Sequence, residues 1–171
     1  VHRDLKPENL LLTSDADDAD IKIADFGFAA YDHGRNQLTD QCGTPHYVAP
    51  EILRKEPYGS SVDMWAMGII TYVLLGGYPP FHDEDMQRLF KKIKRGEYSF
   101  HREYWGAVSE EAKDLIRGLL TIDVTKRFTA DQALNHSWVK RDKTDLSKRD
   151  LQKNLETFKK NIKLNRLKQA A

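Results

Sequence analysis

The 171 residues are 40% hydrophobic, with 10 glycines besides, which is enough apolar material for one globular domain and too much for a disordered or collagenous chain. Lys and Arg number 27 against 26 Asp and Glu, a formal net charge of +1, so no overall field points to nucleic acid or a membrane surface as the main partner. One cysteine, Cys42, excludes a disulfide framework and a cysteine-rich zinc site and suits a reducing compartment; cytoplasmic residence, with the nucleus as alternative, is the expectation.

In chain order, the first half is turn-rich, with short apolar runs at 10–12 and 21–24 that read as small strands between loops. Helices follow. Ser60-Ser61-Val62-Asp63 resembles a capping box and precedes an apolar run over 64–75, which Gly76-Gly77 and Pro79-Pro80 stop. An apolar face that wide predicts a helix buried nearly all round, and its length is too short to span a bilayer. Residues 83–94 read as an amphipathic helix ended by Gly96, 109–120 as a third, and Thr129-Ala130-Asp131-Gln132 as the cap of a short fourth.

Residues 142–147 read as a linker. Beyond it Leu151, Leu155, Phe158 and Ile162 recur at helical spacing on a basic background, which predicts a fifth helix outside the compact unit. Charge separates the two regions: 140–171 carry 11 basic and 4 acidic side chains, net +7, whereas 1–139 carry 16 and 22, net −6. The opening residues do not read as a signal peptide, and none is expected. Residue 1 is Val, the first Met is Met64 and a dense motif starts at His2, so the chain is expected to begin inside a longer one.

That motif is His2-Arg3-Asp4-Leu5-Lys6-Pro7-Glu8-Asn9. Asp25-Phe26-Gly27 follows sixteen residues after Asn9, and Ala49-Pro50-Glu51 comes later. An Asp, a Lys and an Asn in one turn could serve only local hydrogen bonds, but three ordered motifs at these separations resemble the catalytic loop, magnesium loop and activation-segment end of eukaryotic protein kinases. Phosphoryl transfer needs a carboxylate to orient and accept the proton of the attacking hydroxyl, hard oxygen ligands for Mg²⁺, and a cation against the transferred group. Asp4, then Asn9 with Asp25, then Lys6 supply those parts.

Lys6 and Cys42-Gly43-Thr44-Pro45 are similar to serine/threonine rather than tyrosine kinases. Tyr104-Trp105, Ser109 through Ile116, Lys126-Arg127-Phe128-Thr129 and Ala133 through Trp138 resemble the calcium/calmodulin-dependent kinase group. The resemblance runs over 1–139. It implies a mostly α fold, the C-terminal lobe of a protein kinase with short β-strands near the catalytic loop and the N-terminal lobe absent, followed by a linker at 140–147 and an autoinhibitory or calmodulin-binding-like helix at 148–171. It implies ATP and Mg²⁺ as cofactors, with Leu11, Ile70 and Leu74 as an apolar column beneath the adenine. Protein substrates and calmodulin are the partners it implies.

The same resemblance implies that Thr44 bonds to Asp4 and Lys6, that Glu51 pairs with Arg127 in the interior, that Asp63 anchors the catalytic-loop backbone, and that His2 and Phe26 stack towards it. Phe28, directly after the magnesium loop, goes with serine as acceptor. Glu8 is read either as the acceptor of a basic residue N-terminal to the substrate serine or as a solvated loop glutamate. Arg3 beside Asp4 marks kinases whose activation loop is held by a phosphate. Two residues before Cys42, where related kinases carry a phosphothreonine, stands Asp40, with Thr39 before it. Either Asp40 supplies about one negative charge in place of about −1.5 to −2 for a phosphate, or Thr39 is the phosphosite. Cys42 is a small packing residue or, with a low pKa, an oxidisable one.

In the tail, Phe158, Ile162 and Leu167 stand in a 1-5-10 arrangement among Lys159, Lys160, Lys163, Arg166 and Lys168. That suits an acidic, Met-rich groove such as calmodulin's; a membrane surface and packing against the lobe are the alternatives. No Gly-x-Gly-x-x-Gly, strand lysine or partner helix glutamate occurs, so the chain taken alone is not expected to transfer phosphate. Two functions therefore stand side by side: part of an active Ser/Thr kinase, or a non-catalytic interaction module binding calmodulin or substrates. The long apolar helix is expected to lack cover in the isolated chain and expose hydrophobic surface.

Overall fold

The computed structural model describes residues 1–14 and 19–140. A 3-10 turn, Pro7–Asn9, opens on a proline whose missing N–H costs nothing at a helix start. It runs into β1 (Leu10–Leu12), which pairs antiparallel with β2 (Ile21–Ile23), Leu10 opposite Ile23 and Leu12 opposite Ile21. The rest is helical: α1 (Pro50–Arg54), α2 (Ser61–Gly76), α3 (Met86–Arg95), α4 (Arg102–Trp105), α5 (Glu110–Leu119) and α6 (Ala130–Leu134).

The core is built around α2. Ten of its sixteen residues are buried, so its nearly all-apolar sequence is that of a central helix and not of a surface one. Trp65 stacks on Phe81 at 5.8 Å, while Tyr72, completely buried, contacts Tyr78, Tyr98, Phe100 and Trp105. The Tyr72 hydroxyl stays satisfied there, with partners at Tyr78 Oη (2.8 Å) and the Ser99 carbonyl (2.7 Å).

The helix expected to lack cover is mostly buried but leaves Leu74 38% exposed, and further exposed apolar surface lies on the hairpin and the loop after it: Leu11, Leu12, Ile21, Ile23, Phe26 and Phe28 are all exposed. A two-stranded ribbon of three residues a side has too little area to bury both faces, and none of these side chains belongs to the core clusters.

Two helix starts differ from the sequence reading, and two short helices were not expected. Ser60 does not cap α2: its backbone is already helical and its side chain makes no cap bond, and the Asp63 carboxylate that would complete the box is turned to the backbone of residues 2 and 3. The helix expected from residue 83 begins at Met86, with Asp85 as cap accepting the Arg88 N–H at 2.8 Å; Asp83 instead pairs with the Arg88 and Lys92 side chains. The short helices α1 and α4 carried no periodic signal, being five and four residues long. Ser109 does cap α5, Thr129 and Gln132 form a complete capping box on α6, and Gly96 ends α3 in the left-handed region. The linker from 141 and the tail helix, with Phe158, Ile162 and Leu167, lie outside the described residues.

Candidate active site

Asp63 sets the site from below. Its two carboxylate oxygens accept the backbone N–H groups of His2 and Arg3, each at 2.8 Å, which holds Arg3 in the left-handed region at φ 72°. A non-glycine residue there is strained and persists only when its surroundings fix it. The His2 ring makes the second tie. Nδ1 accepts the Asp4 N–H at 3.3 Å, so Nε2 carries the proton that meets the Ala24 carbonyl at 3.1 Å, and the ring lies 5.2 Å from Phe26. Catalytic loop and Asp25 loop are thereby locked together.

Asp4, only 4% exposed, is held at both oxygens. Oδ2 takes the Lys6 ammonium at 2.7 Å; Oδ1 takes the Thr44 N–H at 2.8 Å and its hydroxyl at 2.7 Å. Lys6 also reaches Thr44 Oγ1 at 2.9 Å, which closes a three-residue ring across 38 residues of chain. Gly43 makes this approach possible. At φ 109° it lies outside the range of ordinary side chains, and a Cβ there would stand 2.8 Å from the Arg3 carbonyl oxygen.

Asn9, buried, donates its amide to the Asp4 carbonyl at 2.9 Å, and its own carbonyl accepts the Ala24 N–H at 2.9 Å. That brings the exposed Asp25, itself left-handed at φ 61°, next in chain to the Asn9 contact. An amide oxygen and a carboxylate are hard donors, and two protein ligands are what Mg²⁺ usually takes while phosphate oxygens and water complete its shell. Among the described residues no cluster of three or more His, Cys, Asp or Glu could hold a metal ion. An amide oxygen on Asn9 and a carboxylate on Asp25 fit a metal shared with phosphate.

Glu8 is half-buried, and its Oε2 has no hydrogen-bond partner among the described residues. Burial, and then the charge of Glu8, push the Tyr47 phenol above its usual range. Ile70 is buried with Leu5 and Ala66, whereas Leu11 and Leu74 are 51% and 38% exposed; within the chain the three do not make a packed column, because no described element covers Leu11 and Leu74.

The activation-loop residues divide. The Arg3 side chain, 9% exposed, meets the Asp40 carboxylate at 2.9 Å and the Phe28 carbonyl through Nε, while Thr39 is exposed. Burial works against the Arg3 charge, and the hydrogen bonds to Asp40 and Tyr58 more than offset it, so its pKa lies above the ordinary value. Glu51 and Arg127 form a buried fork of 2.7 and 2.9 Å. Tyr58, which no sequence motif singled out, contacts both Arg3 and Asp40.

A search against family models matches residues 1–139 to the protein kinase domain. The chain belongs to that family. Over 161 residues, 94% of the chain, this kinase sequence is 52% identical to calcium/calmodulin-dependent protein kinase type II subunit delta of Oryctolagus cuniculus. Over 139 residues, 81% of the chain, it is 52% identical to calcium/calmodulin-dependent protein kinase type 1 of Macrobrachium nipponense. The chain spans 30% and 40% of the length of those two proteins.

Proposed function

We propose that this chain is the large-lobe part of a serine/threonine protein kinase that phosphorylates protein substrates from ATP. The observation that carries the reading is the closed ring of Asp4, Lys6 and Thr44, which fixes the buried Asp4 carboxylate in a pre-built loop. Asp4 orients the substrate hydroxyl and accepts its proton; Lys6, held beside it, offsets charge that develops on the transferred group. Asn9 and Asp25 would hold Mg²⁺, which when bound screens the phosphate charge. The exposed Leu11 and Leu74, with the buried Ile70 on the same helix as Leu74, would supply apolar surface for adenine.

The unmet, buried oxygen of Glu8 supports its reading as the acceptor of a substrate cation, since an orphaned carboxylate oxygen is costly until a partner arrives. Phe28 favours serine as the acceptor. Asp40, 2.9 Å from Arg3, supplies in permanent form the negative charge that a phosphate on Thr39 would otherwise add. The tail with Phe158, Ile162 and Leu167 is a calmodulin-binding segment that follows the catalytic region across a linker, and the protein works in the cytoplasm. The names of the two relatives and the basic 1-5-10 pattern support regulation by calcium and calmodulin.

The test is an Asp4→Asn substitution in the intact protein that carries this chain. Loss of about a hundredfold to ten-thousandfold in rate, with unchanged melting, is expected for removal of the proton acceptor. A wild-type protein that binds calmodulin and labels no serine or threonine substrate would support the interaction-module reading instead.

A further inference from the structure

The strap of residues 38–44 over the catalytic loop is held by one side chain outside the motifs. Tyr58 lies between α1 and α2 and is 2% exposed. Its backbone exchanges two hydrogen bonds with Leu38, at 2.9 and 3.0 Å, in an isolated antiparallel bridge. Its hydroxyl donates to the Asp40 carbonyl at 2.7 Å and accepts from Arg3 Nη1 at 3.2 Å, and Cys42 Sγ stands 3.9 Å away. One phenol thus uses both its donor and its acceptor between the activation loop and the arginine next to Asp4.

The residue after it adds a further tie. A Cβ at Gly59 would fall 1.9 Å from Asn36 Oδ1 and 2.6 Å from Asp32 Oδ2, so the stretch before Leu38 folds directly onto the Gly59 backbone. From Tyr58 the strap continues through Asp40 on Arg3 and Gly43 on the Arg3 carbonyl, and ends with Thr44 on Asp4. Burial pushes the phenol above its usual pKa against the opposing pull of Arg3, so the hydroxyl keeps the proton it donates to Asp40.

We propose that Tyr58 is a positioning residue, whose hydroxyl, shared between the Asp40 carbonyl and the Arg3 guanidinium, sets the path of the 38–44 strap and so the placement of Thr44 against Asp4. This rests on the kinase reading above. The ring itself serves the core, where it packs with Val62 and Trp65 in one buried cluster. Only the hydroxyl acts on the strap, so the two contributions separate in a Tyr58→Phe substitution, which keeps the ring and removes the oxygen.

The experiment compares wild type, Tyr58→Phe, Asp40→Asn and the double variant in the intact protein that carries this chain. It measures kcat and KM on a serine peptide with an arginine N-terminal to the acceptor, hydrogen exchange at the Thr44 amide, and thermal melting. Tyr58→Phe is expected to lower kcat about tenfold, with KM for ATP nearly unchanged, and to speed exchange at Thr44. The double variant should be no slower than the slower single, because both residues act through one strap. A Tyr58→Phe protein that melts lower but keeps kcat and Thr44 exchange would overturn the proposal, as would losses that multiply independently. If the wild type phosphorylates nothing, the kinase reading fails, and the Thr44 exchange comparison still decides whether the hydroxyl holds the strap.

Discussion

Glu51 and Arg127, 76 residues apart in the chain, meet as a two-bond fork with side chains 2% and 1% exposed. Arg127 also donates to the Ser61 and Thr121 carbonyls, each at 2.9 Å, and lies 5.1 Å from the Trp65 ring. One guanidinium thus joins the start of α1, the start of α2 and the loop after α5. Arg127→Ala strands a carboxylate in the core and is expected to cost about 3 to 5 kcal/mol in urea unfolding. Arg127→Lys should recover little of it, because an ammonium cannot reproduce the planar fork or reach three acceptors in these directions. A Lys variant as stable as wild type would show that the charge alone matters here.

Asp83 gives a pH-dependent prediction. The backbone N–H of Asp85 and the Lys92 side chain hold its carboxyl down to about 2, against an ordinary value of 3.8. A folded-state pKa below the unfolded one stabilises the fold above the unfolded value and is lost as pH falls through the folded one. The stability difference between wild type and Asp83→Asn should therefore be constant above 3.8 and close as the pH approaches about 2. A carboxyl NMR titration of Asp83 with an ordinary aspartate midpoint would contradict the bonding.

The chemical residues were legible because phosphoryl transfer restricts residue type at fixed spacing: Asp4, Lys6, Asn9 and Asp25 could be read in order, and the structure brings Lys6 and Thr44 onto Asp4. The long helix was legible from its apolar run, though not its start, since a Ser-x-x-Asp pattern cannot reveal that Asp63 serves residues 61 and 60 positions away. Tyr58 was invisible for the same reason. Locally it is one aromatic in a Pro-Tyr-Gly stretch, and its meaning lies in partners 18 and 55 residues distant. The two short strands were legible but their exposure was not: Leu-Leu-Leu and Ile-Lys-Ile have the composition of covered strands, yet Leu11, Leu12, Ile21 and Ile23 are 50% to 64% exposed.

Thr44 separates hydroxyl from backbone within the same site. Its N–H reaches Asp4 Oδ1 whatever the side chain, whereas the hydroxyl adds a second link between Asp4 and Lys6 beside their direct contact. Thr44→Val keeps the shape and the amide bond and removes that link, leaving the Lys6 ammonium with Asp4 Oδ2 as its remaining anchor. The expected result in the intact protein is a fall in kcat of about tenfold to a hundredfold with little change in melting. Thr44→Ser restores the hydroxyl and should restore most of the rate. If Val and Ser variants turn over alike, the hydroxyl carries no part of the positioning, and the amide bond together with Lys6 holds Asp4.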